Sequence, residues 1–323
     1  MTDMWRKFGW QRLTFLAPAA WYLTKISIER GSGELWLSDP QMPRLQVKWT
    51  DVTREKKVNP KATLTSYLTQ IERAAKRNRL NFEMERDVRL AKPAQDDVSS
   101  LECFRWQAET ETYGAIWYSP HAQRVTLVQI NSPPHDPGAR SLARRILASM
   151  HDDTPGPREL WTVQDLSCEV PPDFNLTTNA LQTGQTELGF TRGRLGEKIS
   201  FVRFGLASIA LERAGDLGDW IDQQRFKLWH TFRLTRDQVT IGEREVVRFH
   251  GLRVSYKERL RHRLYGLFGQ RLPIALTAYC WHSEEANAIS LVEYLHAPNH
   301  GDLAEELVPY MLDQPALVKP PRE

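Results

Sequence analysis

Apolar and polar positions alternate over several short stretches of this chain. Leu45, Val47 and Trp49 are separated by polar residues, and Ile199 and Phe201 repeat the pattern in the second half. Val125, Leu127 and Gln129 run in register with Ile289, Leu291 and Glu293. A period of two predicts half-buried strands. Further strands are expected around Phe82 and Met84, through Phe104 and Trp106, around Phe232 and Leu234, and through Val246 and Phe249. Two stretches follow a helical period instead. "LTSYLTQIERAAKR" places Leu64, Tyr67, Leu68, Ile71 and Ala75 on one face, and "LGDWIDQQRFKLWH" does so with Leu217, Trp220, Ile221 and Leu228. The closing segments "LARRILASM" and "LAEELVPYM" predict a terminal helix in each half. The expected class is therefore α+β, with two tandemly duplicated domains, each a mainly antiparallel β-sheet covered by helices.

The duplication can be followed residue by residue. "APAAWYLT" from Ala17 lies over "VPPDFNLT" from Val170, so that Pro18 meets Pro171 and Trp21 meets Phe174, at 171 − 18 = 153. The same spacing carries "GSGELWL" onto "GQTELGF", and Leu64, Tyr67 and Leu68 onto Leu217, Trp220 and Ile221. Later the spacing is 281 − 117 = 164, where "AIWYSPHAQRVTLVQI" is answered by "YCWHSEEANAISLVEY". Ordered matches of this kind mark a repeated folding unit. The boundaries read as 1–153 for the first repeat, 154–160 for a Pro- and Gly-containing linker, and 161–323 for the second repeat. A basic amphipathic insertion is expected near 257–272, in the region where the second repeat is longer. The basic-then-apolar start "MTDMWRKFGWQRLTFLAPAAWYL" can also be read as a poor signal peptide. The twins of Pro18, Trp21, Leu23 and Thr24 favour a strand there.

The "P-x-x-W" and "P-x-x-F" openings (Pro18 to Trp21, Pro171 to Phe174), the first helix and the paired strands of the repeated passage resemble the PsbP-like α/β/α sandwich family. The resemblance covers nearly the whole chain as two copies. It implies the fold, and it implies proteins that act by binding other proteins, sometimes metal ions, without a characteristic enzymatic activity. No binding residue of the family can be carried over, and nothing in the chain supports a photosynthetic role.

Composition narrows the classes further. Forty-three basic against 40 acidic side chains leave no general excess for nucleic acid. Cys103, Cys168 and Cys280 are isolated, which suits a reducing compartment, and the cytoplasm is the expected location. No metal site and no cofactor site is expected: HExxH, a phosphate-binding Gly loop and GxSxG are all missing. "WHSEE" (Trp281 to Glu285) and "HAPNH" (His296 to His300) read as solvated turns. No catalytic residue is nominated, and the balance favours a non-enzyme.

The feature with physical content is "KERLRHRLYGLFGQRL", Lys257 to Leu272. Leu260, Leu264, Leu267 and Phe268 form one helical stripe among Lys257, Arg259, Arg261, His262, Arg263 and Arg271. Its ordinary reading is a hairpin extension whose leucines pack on their own domain. Its functional reading is a docking surface for a protein partner, with Arg259, Leu260, Arg263, Leu264, Leu267 and Phe268 as contacts. The expected function is thus a non-catalytic protein-binding adaptor or assembly subunit. The alternatives are a small-ligand or metal-binding protein or enzyme using an interdomain cleft, and a peripheral protein on anionic membrane.

Overall fold

A computed structural model describes residues 4–29, 31–52, 58–94, 98–152, 156–193, 196–254, 273–298, 300–311 and 317–318. The chain divides into two compact units, one of residues 1–156 with 316–323 and one of residues 157–315.

The first unit opens with a hairpin of β1 (Trp5–Trp10) and β2 (Leu13–Pro18). Its two-residue loop places Gln11 and Arg12 at φ of 46° and 67°, the backbone of a type I′ turn. A seven-stranded antiparallel sheet follows, made of β3 (Tyr22–Glu29), β4 (Ser32–Ser38), β5 (Pro43–Asp51), β6 (Glu83–Arg86), β7 (Ser99–Gln107), β8 (Glu111–Ser119) and β9 (Arg124–Ser132). Its order is β3-β4-β5-β9-β8-β7-β6. Between β5 and β6 runs α1 (Pro60–Arg77), and α2 (Ala139–Ala148) follows β9. The start of α1 is fixed by the Asn59 side chain, which accepts the Ala62 N–H at 3.0 Å, and by Pro60 in the first turn. Leu64 and Leu68 then pack on Phe104, Ile116 and Leu127 of the sheet. The short β10 (His151–Asp152) joins β2.

The second unit repeats this order. The hairpin β11 (Glu159–Val163) and β12 (Leu166–Val170) precedes β13 (Asn175–Gln182), β14 (Gln185–Arg192), β15 (Glu197–Gly205), β16 (Phe232–Ile241), β17 (Arg244–Arg253), β18 (Ala275–Ser283) and β19 (Ala288–His296). The sheet order β13-β14-β15-β19-β18-β17-β16 matches that of the first unit strand for strand. Two helices, α3 (Ala207–Ala214) and α4 (Leu217–Trp229), stand where the first unit has one. The closing helix α5 (Leu303–Leu307) runs into a 3₁₀ turn, Val308–Tyr310. Beyond it β20 (Leu317–Val318) pairs with β1 and so belongs to the first unit. Two similar α+β domains are present, as the alternating pattern implied.

Three sequence expectations change in detail. The Pro18 to Trp21 stretch is not a strand but a turn between two: the Trp21 N–H donates to the Pro18 carbonyl at 3.0 Å, and the Phe174 N–H donates to that of Pro171 at 3.1 Å. The repeated aromatic is thus the residue that closes the turn, and both rings are buried. On α4 the buried face runs through Ile221 and Trp229, while Leu228 is exposed. A stripe stepping by four from Ile221 passes through Arg225, so an arginine points inward where the apolar template has no place for one. Finally, Phe104 pairs across from Gly114 and Phe249 across from Ala278, which fixes the spacing there at 249 − 104 = 145. The second unit is shorter between β16 and β17 and then longer after β17. Residues 108–110 connect β7 to β8, whereas residues 254–274 connect β17 to β18.

Candidate functional site

The long connection between β17 and β18 contains every residue expected to contact a partner. Arg259, Leu260, Arg263, Leu264, Leu267 and Phe268, with the rest of the 257–272 insertion, lie outside the described residues. Its described flank is unusual for an exposed surface. Val254, at the root of the connection, is 57% exposed, Leu252 is 43% exposed and Phe226 is 62% exposed, with Leu228 beside them. Hydrogen bonds tie the root of the connection to the end of α4. The Val254 N–H donates to the Thr231 carbonyl at 2.9 Å, and the Thr231 hydroxyl donates to the Leu228 carbonyl at 2.9 Å. The Phe226 ring stacks on His230, with centroids 5.3 Å apart.

The same positions in the first unit are built differently. The helix spacing of 153 puts Arg73 and Ala75 where Phe226 and Leu228 stand. The strand spacing of 145 puts Gln107 and Glu109 at the places of Leu252 and Val254. Three exposed apolar residues therefore face solvent where the sister unit carries Arg, Gln and Glu. Single exposed apolar residues are ordinary, and here the two copies of the fold differ at three of them.

Polar groups elsewhere serve the fold. Beneath α4, Glu293 is almost fully buried and accepts from Arg225 Nε at 2.9 Å and from Trp229 Nε1 at 2.7 Å; Arg225 also reaches Glu187 at 3.3 Å. Burial alone would lower the Arg225 pKa, but the Glu293 charge and hydrogen bonds outweigh it and raise it. This closed ion pair anchors α4.

A second cluster joins β14, β15, β19 and the loop after β19. Glu197 accepts from Arg192 Nε at 2.6 Å and from the Tyr294 hydroxyl at 3.3 Å, and it pairs with His300. Burial works to raise the Glu197 pKa; the hydrogen bond and charge of Arg192, aided by His300, bring it below the usual carboxylate range. Burial pushes Tyr294 up to about 12. His296 stacks on Tyr294 with centroids 4.6 Å apart and lies 3.0 Å from the Thr277 hydroxyl. Burial lowers its pKa. The expected solvated turn at 296–300 is corrected here: His296 is a buried strand residue, and only the loop after it turns. Sequence reasoning missed the rest of the cluster because its members span residues 192–300 and meet only through the sheet order.

The three thiols are buried, which disfavours the thiolate. Cys103 is buried and raised to about 11, and burial raises Cys168 and Cys280 further still. Among the described residues, no group of three or more His, Cys, Asp or Glu side chains could hold a metal ion. Among them, too, no helix is long and apolar enough to cross a membrane.

No family model matches the chain, and no curated protein matches it. Solved structures give distant likenesses. The solution structure of cyanobacterial PsbP (CyanoP) from Synechocystis sp. PCC 6803 is 11% identical, with 47% of this chain and 94% of that chain covered and a TM-score of 0.36. A protein from Bacteroides thetaiotaomicron VPI-5482 is 15% identical over 49% of this chain and 53% of its own, at a TM-score of 0.25. The immunity protein TplEi of T6SS from Pseudomonas aeruginosa, in complex with the "L" peptide, is 11% identical over 97% of this chain and 99% of its own, at a TM-score of 0.33. These are likenesses of fold at long range, and they identify no activity.

Proposed function

We propose that this chain consists of two PsbP-like domains that arose by tandem duplication, and that it is a non-catalytic protein-binding adaptor or assembly subunit whose contact surface is the β17–β18 connection of the second unit with its flank. The observation that carries this reading is the set of exposed apolar residues flanking that connection, of which Phe226, Leu252 and Val254 stand where the first unit has Arg73, Gln107 and Glu109. The apolar residues supply area to bury, and the arginines at 259, 261, 263 and 271 orient a partner that presents apolar side chains among carboxylates. Leu264 and Phe268 are the contacts we assign the largest share. We place the protein in the cytoplasm, on the ground of its three separate, unbridged cysteines.

The test is affinity capture of the tagged chain from its native cells, beside two variants, Leu264→Ser/Phe268→Ser and Phe226→Ser/Val254→Ser. A protein captured by the wild type, reconstituted with it from purified components, and lost from both folded variants supports the reading. Equal capture by both variants, or unfolding of the second unit by the Leu264→Ser/Phe268→Ser change, overturns the surface.

A further inference from the structure

Four strands lie at the edges of the two seven-stranded sheets: β3 and β6 in the first unit, β13 and β16 in the second. Charged side chains on an edge strand keep it hydrated and discourage pairing with another chain. β3 carries Lys25 and Glu29, β6 carries Glu83, Glu85 and Arg86, and β16 carries Arg233, Arg236 and Asp237. β13 reads NLTTNALQ, with neither a charge nor a proline. A bulge between Leu176 and Thr178 interrupts its pairing with β14, and Thr178 to Gln182 then run in regular register. Asn179 and Gln182 are exposed, and Leu181 is 40% exposed. Among the described residues, no hydrogen bond reaches the backbone of β13 from outside the sheet.

Peptide geometry says which backbone groups are free. The Gly184 carbonyl accepts the Gly205 N–H at 2.9 Å, on the β15 side. The Gln185 N–H belongs to the same planar peptide, so it points the opposite way, toward its partner Gln182 on β13. Direction alternates along a strand. Gln182 and Ala180 therefore turn their N–H and C=O to β14, while Leu181 and Asn179 present theirs at the open edge. These two residues flank Ala180, so they answer each other about a two-fold axis through it. Asn179 of one copy then lies opposite Leu181 of the other, and each such pair exchanges both of its backbone hydrogen bonds. Ala180, the smallest side chain of the strand, meets its own copy in the closely spaced pair without hydrogen bonds, and no charge meets its like. We propose that β13 pairs antiparallel with β13 of a second copy of this chain, about an axis through Ala180, and so joins two seven-stranded sheets into one. The inference is independent of the flank of the β17–β18 connection.

Sedimentation velocity on the full chain tests this, with a concentration-dependent dimer expected between about 1 and 100 μM. Asn179→Lys/Leu181→Lys sets lysine against lysine in both cross-strand pairs and should weaken the dimer by about tenfold or more. Asn179→Lys/Leu181→Glu sets lysine against glutamate in the same pairs and should keep it. Both positions are exposed, so each variant should keep the melting temperature of the wild type. A wild type that stays monomeric up to about 100 μM overturns the proposal. So does a dimer indifferent to the paired lysines, or one lost equally from both variants.

Discussion

Under α1 the first sheet offers Gln129; under α4, at the corresponding place, the second sheet offers Glu293. In the first unit a chain of neutral amides leads outward, from Tyr67 to Gln129, then to Gln46 at 2.8 Å and on to Glu34 at 3.3 Å, whose charge meets Lys25 near the surface. In the second unit the charge sits inside, and Arg225 is drawn in from the helix to meet it. The two units share a strand order but fasten their helices by different chemistry. A fold that repeats its topology this faithfully specifies where a helix must be held, and leaves open whether a neutral or an ionic contact holds it. The ionic version has a consequence. Each partner is costly to bury without the other, so the second unit tolerates the loss of one far less well than the first tolerates the loss of an amide.

Glu293→Ala is therefore the change expected to separate the units most. It leaves Arg225 buried with only Glu187 near, and should cost about 3–5 kcal/mol. Gln129→Ala should cost about 1–2 kcal/mol. Urea unfolding of the full chain checks both, with the larger loss falling on the transition of the second unit. Equal losses would mean that the ion pair is no more than a substitute for the amide.

Next in size is a difference at the aromatic that each helix covers. Phe104 lies over Gly114, where an added Cβ would fall 2.2 Å from the ring and 2.7 Å from the Val128 carbonyl oxygen. Phe249 lies over Ala278 and packs instead on Trp229, at 4.6 Å between centroids. Gly114→Ala should thus destabilise the first unit by about 1–3 kcal/mol, while Ala278→Gly should cost the second about 1 kcal/mol. Urea unfolding reads both as well, and a neutral Gly114→Ala would show that the ring over it has room to move.

A smaller effect follows from pH. His296 stands where the first unit has Ser132. Its pKa is lowered in the fold by burial, so the native state holds it neutral while the unfolded chain protonates it near 6.5. The stability it allows is complete above that value and is lost as pH falls from there through the folded pKa. His296→Asn should flatten this acid limb of the stability profile, and an unchanged limb in the variant would assign it to other groups.

How far the chain could be read in advance follows from where its interactions lie. Alternation at Leu45, Val47 and Trp49 and the repeat spacings are local signals, and they led to the right class and the right strands. The inward face of α4 was misread because Arg225 breaks its apolar stripe, and only a carboxylate on a strand 68 residues away explains it. Glu197, Arg192, Tyr294 and His296 were out of reach for the same reason. The Pro-to-aromatic motif was visible as a motif, but its turn geometry was not, since a strand and a tight turn place the same residues on the same spacing.

The patch beside the β17–β18 connection makes the sharpest use of the comparison, because the sister unit supplies the control residues. Replacing Phe226, Leu252 and Val254 by their first-unit counterparts, as Phe226→Arg/Leu252→Gln/Val254→Glu, removes exposed apolar area without touching a core contact. Each change should alter stability by no more than about 0.5 kcal/mol, since it lies at a solvent-facing position. Capture of the partner should nevertheless be lost. The reverse exchange in the first unit, Arg73→Phe/Gln107→Leu/Glu109→Val, should gain no partner, because there residues 108–110 provide only a tight connection with no basic segment beside the patch. If the first exchange destabilises the second unit by several kcal/mol, its apolar residues belong to that unit's own packing. If the reverse exchange creates binding, the apolar patch alone is the recognition element and the arginines of the connection are dispensable.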